Sequence, residues 1–237
     1  MTDAAETDAD TGTALLEAAL AHVPFEGWTD AALRGACRDT GIDPALARVF
    51  YPRSGPDLAL AFSARCDGEM RRRLAATELS ALRFRERVAT AVRLRIEAIG
   101  DRELLRRSMT LFAMPQNAAA GTQALWDSAD AIWTALGDSS DDVNWYTKRA
   151  TLSGVISATL LYWLGDDSPG AVRTWAFLDR RIENVMQIET VKGKVNSNPV
   201  LRPLMVVPNM IGSRIRPPAR ARRPHDPSAG FPGGEEA

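Results

Sequence analysis

Histidine and cysteine are nearly missing from this chain of 237 residues: His22, His225, Cys37 and Cys66 are all it has. Residues so few and so scattered do not make a conventional metal site, and two cysteines build no disulfide framework. Both suit a reducing compartment as free thiols. A histidine acid–base centre would have to use His22, which sits in an apolar helical run. No Gly-rich phosphate loop, metal motif or nucleophile triad is visible, so neither an enzyme, a metal nor a cofactor is expected. Sustained apolar/polar alternation is absent as well, and with it the signal for strands. The longest uncharged stretch, Ala150 to Gly165, falls short of the roughly 20 residues of a spanning helix. The acidic opening MTDAAETDAD lacks the basic start and apolar run of a signal or transit peptide. The expectation is a protein that does not cross a membrane.

What is present is helical. Hydrophobic residues make up 45% and charged residues 25%, the usage of a globular protein with a core. Apolar positions recur at three and four almost throughout, which predicts an all-α bundle of about nine helices. The first runs from about Thr13 to His22. The second opens at Thr29 as N-cap and closes at Gly41; the third takes Asp43 as N-cap and Pro44 at its first position. A fourth follows Ser54-Gly55-Pro56 past Leu74, a fifth covers Leu82 to Ile99, and a sixth runs from Arg102 to Met114 and ends at Pro115. The seventh spans Gly121 to Leu136, the eighth Val143 to Leu164, and the ninth Pro169 to about Lys192. Residues 65–107 hold twelve arginines against seven acids, a pattern that reads first as a solvated face. The chain thus divides into a disordered acidic N-terminus (1–12), a three-helix unit (13–55), a helical bundle (56–195) and a basic, Pro-rich tail (196–237).

The three-helix unit has helix-turn-helix geometry. Gly27-Trp28-Thr29, the Gly41-Ile42 turn and the Phe50-Tyr51-Pro52 exit resemble the DNA-binding end of TetR-type regulators. Charge argues against reading DNA. The second helix of the pair carries Arg48 alone and leads with Asp43. Across 26–53, Glu26, Asp30, Asp39 and Asp43 balance Arg34, Arg38, Arg48 and Arg53, so there is little counterion release to gain. No nucleic-acid partner is expected, and the alternative reading is a TetR-type transcriptional regulator with a small apolar effector.

The eighth helix carries a large apolar stripe (Leu152, Val155, Ile156, Thr159, Leu160, Trp163) and a smooth one (Ala150, Ser153, Gly154, Ser157, Ala158) where another helix can come close. Apolar walls without a convergent acid, base or nucleophile suit a ligand that is held and not transformed. The strings Asp142-Val143-Asn144-Trp145-Tyr146-Thr147-Lys148-Arg149, Gly165-Asp166-Asp167-Ser168-Pro169 and Thr174-Trp175-Ala176-Phe177-Leu178, with Met114-Pro115-Gln116-Asn117 upstream, resemble the Coq-nine family of coenzyme Q biosynthesis proteins over roughly residues 14–190. The resemblance implies a TetR-like helical fold and a non-catalytic accessory protein of ubiquinone biosynthesis. Such a protein binds an isoprenoid quinone intermediate or phospholipid and supports the di-iron demethoxyubiquinone hydroxylase, as a homodimer.

On helix position, the lipid-lining candidates are Met109, Phe112, Met114, Trp126, Trp133, Val155 and Leu160. Carried over from the family, the hydroxylase-docking candidates are Trp163, Leu164, Asp167, Ser168 and Trp175, with Trp163 and Leu164 expected to be partly exposed. Trp175 also falls on the stripe Val172, Trp175, Leu178, Ile182, Val185, Met186, the spacing of a core residue. Residues 191–225 hold eight Lys/Arg and no acid, so the rest of the chain carries -9 to reach the net charge of -1. Leu204, Met205, Val207, Met210, Ile211, Arg214 and Arg216 are therefore read as a contact with an anionic membrane. Pro199, Pro203 and Pro208 interrupt the continuous amphipathic helix of the relatives. The expected location is the cytoplasmic face of a bacterial inner membrane, or the mitochondrial matrix face in a eukaryote.

Overall fold

A computed structural model describes the backbone of residues 2–138 and 143–197, with side chains over 10–138 and 144–185. Among the described residues there are nine α-helices and no strand. They are α1 (Thr2–Glu26), α2 (Asp30–Thr40), α3 (Pro44–Phe50), α4 (Gly55–Ala75), α5 (Phe84–Glu97), α6 (Arg102–Phe112), α7 (Pro115–Ala135), α8 (Val143–Leu164) and α9 (Val172–Ser197).

The ends of the short helices follow from local chemistry. Thr29 Oγ1 accepts from Ala32 N, and Gly41 closes α2 at φ 70, a left-handed conformation that a side chain resists. Asp43 accepts from Ala45 N at 2.7 Å, with Pro44 at the first position of α3. Two boundaries differ from expectation. The first helix begins at Thr2 and takes in residues 2–12, which composition marks as disordered. The turn at Gly12 is held because the Tyr51 hydroxyl donates to the Gly12 carbonyl at 2.7 Å while Phe50 packs over it. Pro115 does not simply stop α6: it is the first residue of α7, where its missing N–H leaves no bond unmade.

Helix α4 is the spine. It starts against the three-helix unit, where a Cβ on Gly55 would stand 1.9 Å from the Trp28 carbonyl oxygen and Ser54 Oγ donates to Asp30. It then packs on α5 and α7, and the α8–α9 hairpin closes the other side against α7 and α5. Gly121 lets α6 and α7 meet, since a Cβ there would lie 2.6 Å from Cβ of Phe112. The large stripe on α8 is buried as expected, with Ile156 at 1% and Trp163 at 8% exposure. On α9, Leu178 and Ile182 are buried but Val172, its first residue after the 3-10 turn Pro169–Ala171, is 59% exposed. Among the described residues, buried charges cross-link the helices through Arg95 with Asp67 and Arg149 with Asp130 and Asp138, and Asp166 is buried in the turn between α8 and α9.

Candidate functional site

The corner between α8 and α9 is built by Asp166, which is 1% exposed. Its Oδ1 accepts from Ser168 N (2.9 Å), Ser168 Oγ (2.6 Å) and Arg173 Nε (3.1 Å); its Oδ2 accepts from Thr174 N (2.8 Å) and Thr174 Oγ1 (2.6 Å). Burial works to raise this carboxyl. The bonds from Ser168 and Thr174 more than reverse that and hold it well below the usual carboxylate range. One ionised side chain therefore takes the Thr174 N–H in the first turn of α9 and the Ser168 N–H of the turn before it, while Ser168 Oγ accepts from Arg173 N at 3.2 Å. The Asp166 carbonyl accepts from Arg102 of α6 at 2.5 Å, and the Arg102 guanidinium lies over the Trp163 ring at 5.0 Å from its centroid. The corner is thus clamped to α6. Asp167 projects from it, 91% exposed at the side chain and paired with Arg173.

Trp175, two turns into this unit, is neither free nor core. Its indole N–H donates to the Gly170 carbonyl at 2.9 Å, and the Arg93 guanidinium from α5 lies 4.8 Å from its ring centroid. It forms one wall of a groove of about 390 Å³ between α5 and α9. Ala89, Leu178 and Ile182 add apolar surface, while Arg85, Glu86, Arg93, Asp179 and Glu183 bring charge of both signs. A groove with an aromatic anchor, apolar lining and mixed charge has the character of a protein-docking surface.

Of the five docking candidates, the structure brings Asp167, Ser168 and Trp175 to one end of the α8–α9 hairpin, with Leu164 half-buried beside them. Trp163 is buried, contrary to the partial exposure expected of it, because α6 docks Arg102 on its face. The seven lipid-lining candidates do not lie on the groove. Trp133, Val155 and Leu160 are core, and Trp133 donates to the Lys148 carbonyl at 3.2 Å. Met109 and Phe112 pack partly buried against the core. Trp126 joins Trp145 and Tyr146 in an aromatic cluster with centroids 5.8 and 6.1 Å away. Met114, at the N-cap of α7, is 41% exposed. The membrane-contact candidates from Leu204 to Arg216 lie outside the described residues.

Sequence reading missed Asp166, Arg93 and Arg102. Asp166, placed before Ser168-Pro169, carries the signature of a capping carboxylate; the two arginines cannot be told from their solvated neighbours without knowing which helix faces them. In the three-helix unit, Arg34 and Arg48 pair with Asp30 and Arg53 Nε bonds Asp57 at 2.9 Å.

Among the described residues no helix is long and apolar enough to cross a membrane. The family model COQ9 matches residues 118–189. The chain is 32% identical over 194 residues to the ubiquinone biosynthesis protein COQ9, mitochondrial, of Rattus norvegicus, covering 77% of this chain and 61% of that protein. It is 32% identical over 189 residues to the probable ubiquinone biosynthesis protein coq9, mitochondrial, of Dictyostelium discoideum (76% and 60%). With the Homo sapiens COQ9 protein it shares 30% over 194 residues (77% and 60%). The chain spans about three fifths of the length of these relatives. In structure it is similar to a TetR transcriptional regulator from Nitrosomonas europaea ATCC 19718, with a TM-score of 0.60 at 16% identity over 73% of this chain and 97% of that one. On a TetR-like helical fold, then, this chain is similar to COQ9 proteins over about three quarters of its length.

Proposed function

We propose that this protein serves ubiquinone biosynthesis without being a catalyst: it binds a polyprenyl quinone intermediate or phospholipid and presents it to the demethoxyubiquinone hydroxylase. The observation that carries the reading is the α5–α9 groove with Trp175 as its wall and the Asp166-built corner beside it. The corner and the α9 wall of the groove lie on the stretch that the family model matches, and the relatives are named for ubiquinone biosynthesis. The hydroxylase docks on Trp175, Asp167 and the groove, where Arg93 holds the indole upright.

The lipid is taken between α6, α7 and α8, where Met109, Phe112, Trp126, Trp133, Val155 and Leu160 supply apolar surface. Each tail methylene moved from lipid to water costs about 0.8 kcal/mol, so a reactive ring leaves the bilayer only inside such a protein. Phe112 sits over Gly121, so entry opens the α6–α7 seam. Two copies pair through the outward face of α8 and α9, where Ala150, Gly154, Leu161, Tyr162 and Val172 are exposed. The assembly works at the surface of the inner membrane, in a bacterium or on the matrix side of a mitochondrion.

Native mass spectrometry of gently purified protein tests the cargo: an isoprenoid quinone or phospholipid should co-purify, and a bare protein would overturn it. A pull-down with the hydroxylase tests the groove. Trp175→Lys should cost binding by tenfold or more at unchanged thermal stability; binding equal to that of the parent refutes the docking surface.

A further inference from the structure

The corner where α4 ends and α5 begins is rich in arginine. Residues 71–87 hold six arginines (Arg71, Arg72, Arg73, Arg83, Arg85, Arg87) and two acids, Glu78 and Glu86. The acids and several arginines are engaged within the corner. Arg72 and Arg73 share Glu69, and Arg87 donates to the carbonyls of Leu82 and Ser80. Glu78 accepts from Ser80 N at 2.8 Å and Glu86 from Arg83 N at 2.9 Å. Among the described residues no carboxylate pairs with the exposed side chains of Arg71 or Arg83, and Arg85 comes only within 4.0 Å of Glu183. Between Arg83 and Arg85 stands Phe84, half exposed, with one face stacked on Trp133 at 5.9 Å.

The topology says which way this corner faces. The start of α4 sits in the three-helix unit through Ser54 and Asp30, so its far end, with Arg71, lies away from that unit. Helix α9 leaves the Asp166 corner beside Arg102 and passes Arg85 at Glu183. It therefore runs antiparallel to α5 and continues to Ser197, roughly 20 Å past the arginine corner at 1.5 Å per residue. The sequence that follows is the apolar and basic stretch with no acid up to His225. Arginines without carboxylates and an exposed aromatic among them make one coherent surface. Phosphate and acyl chain together satisfy it; phosphate alone leaves Phe84 unexplained.

We propose that the α4–α5 corner is a membrane-contact surface in its own right: Arg71 and Arg83 take the phosphates of an anionic bilayer and Phe84 enters the headgroup–acyl boundary. The inference rests on the membrane-surface reading above and adds a folded contact to the tail. It fixes orientation, with the three-helix unit pointing away from the lipid and the α5–α9 groove standing at its side.

The test is co-sedimentation of the full chain with vesicles of phosphatidylcholine alone and of phosphatidylcholine with phosphatidylglycerol, for the parent, the double variant Arg71→Glu/Arg83→Glu, and Phe84→Ser. Each basic residue near such a surface contributes about fivefold in partitioning, so the double charge reversal should lower binding to anionic vesicles by about twentyfold or more. Its unfolding midpoint should stay at the parent's, since both arginines are exposed. Phe84→Ser should weaken binding as well. Parent-like binding by the double variant overturns the corner and leaves the tail as the contact. Failure of the parent to prefer anionic vesicles overturns both the corner and the membrane-surface reading. Displacement of the bound parent from vesicles by duplex DNA would show that the arginines serve nucleic acid instead and also overturns it.

Discussion

Replacing Arg95 by Met should be among the most damaging single changes this fold can suffer. Arg95 is 7% exposed and pairs through Nε with Asp67, itself 6% exposed, so α5 is tied to α4 by two opposite charges away from water. Its Nη2 donates to the Ser63 carbonyl (3.3 Å) and Oγ (2.9 Å) and to Ser128 Oγ (3.3 Å), which brings in α7. Burial works to lower the Arg95 pKa, and Asp67 outweighs it, so the guanidinium stays charged. Without the guanidinium, Asp67 is left as a buried unpaired carboxylate, a loss of roughly 3–5 kcal/mol. Against a typical native stability of about 5–15 kcal/mol that is a large share. At about 2–4 °C per kcal/mol for a domain of this size, the unfolding midpoint drops by roughly 6–20 °C.

The companion variant Arg95→Met/Asp67→Leu removes both charges. It should recover most of that loss, short of about 1 kcal/mol for the bond Ser128 no longer accepts. Urea unfolding followed by circular dichroism on the parent, both singles and the double closes the cycle. A loss below about 1 kcal/mol for Arg95→Met, or a double variant as unstable as the two singles summed, refutes the view that the pair is held by mutual need.

Two further outcomes follow from geometry. Burial pushes the Tyr51 phenol up to about 12; its folded pKa lies above the unfolded value near 10, so the contribution is complete below about pH 10 and is lost as the pH rises towards 12. Ultraviolet titration should show one of the three tyrosines ionising only at the upper end, together with unfolding. Tyr51 ionising near 10 in folded protein would contradict its burial and its bond to Gly12. Gly55→Ala, with a Cβ 1.9 Å from a backbone oxygen, should destabilise more than Gly121→Ala, which meets Phe112 at 2.6 Å and loses about 1–3 kcal/mol. Gly154→Ala faces open space and should stabilise the protomer by roughly 0.5–1 kcal/mol in thermal unfolding. The reverse order would mean the interhelical contacts are not where they are drawn.

The caps at Thr29, Asp43 and Gly41, and the full span Val143–Leu164 of α8, could be read in advance because each depends on a few neighbouring residues. The motif strings likewise carried the resemblance to COQ9 proteins. Where reading failed, a distant partner decided. Gly12 is ordered by Tyr51, 39 residues on, and Trp163 is covered by Arg102 from α6. Trp175 is poised at a groove wall by Arg93, 82 residues before it.

Periodicity and capping chemistry thus settled by themselves that the chain is helical and where most helices begin and end. Which arginines are buried, which tryptophan is covered, and that α5 and α9 leave a groove between them were settled only when the helices packed. Helix formation is governed by bonds within a few residues. The exposure and charge environment of a side chain depend on what the rest of the chain brings against it.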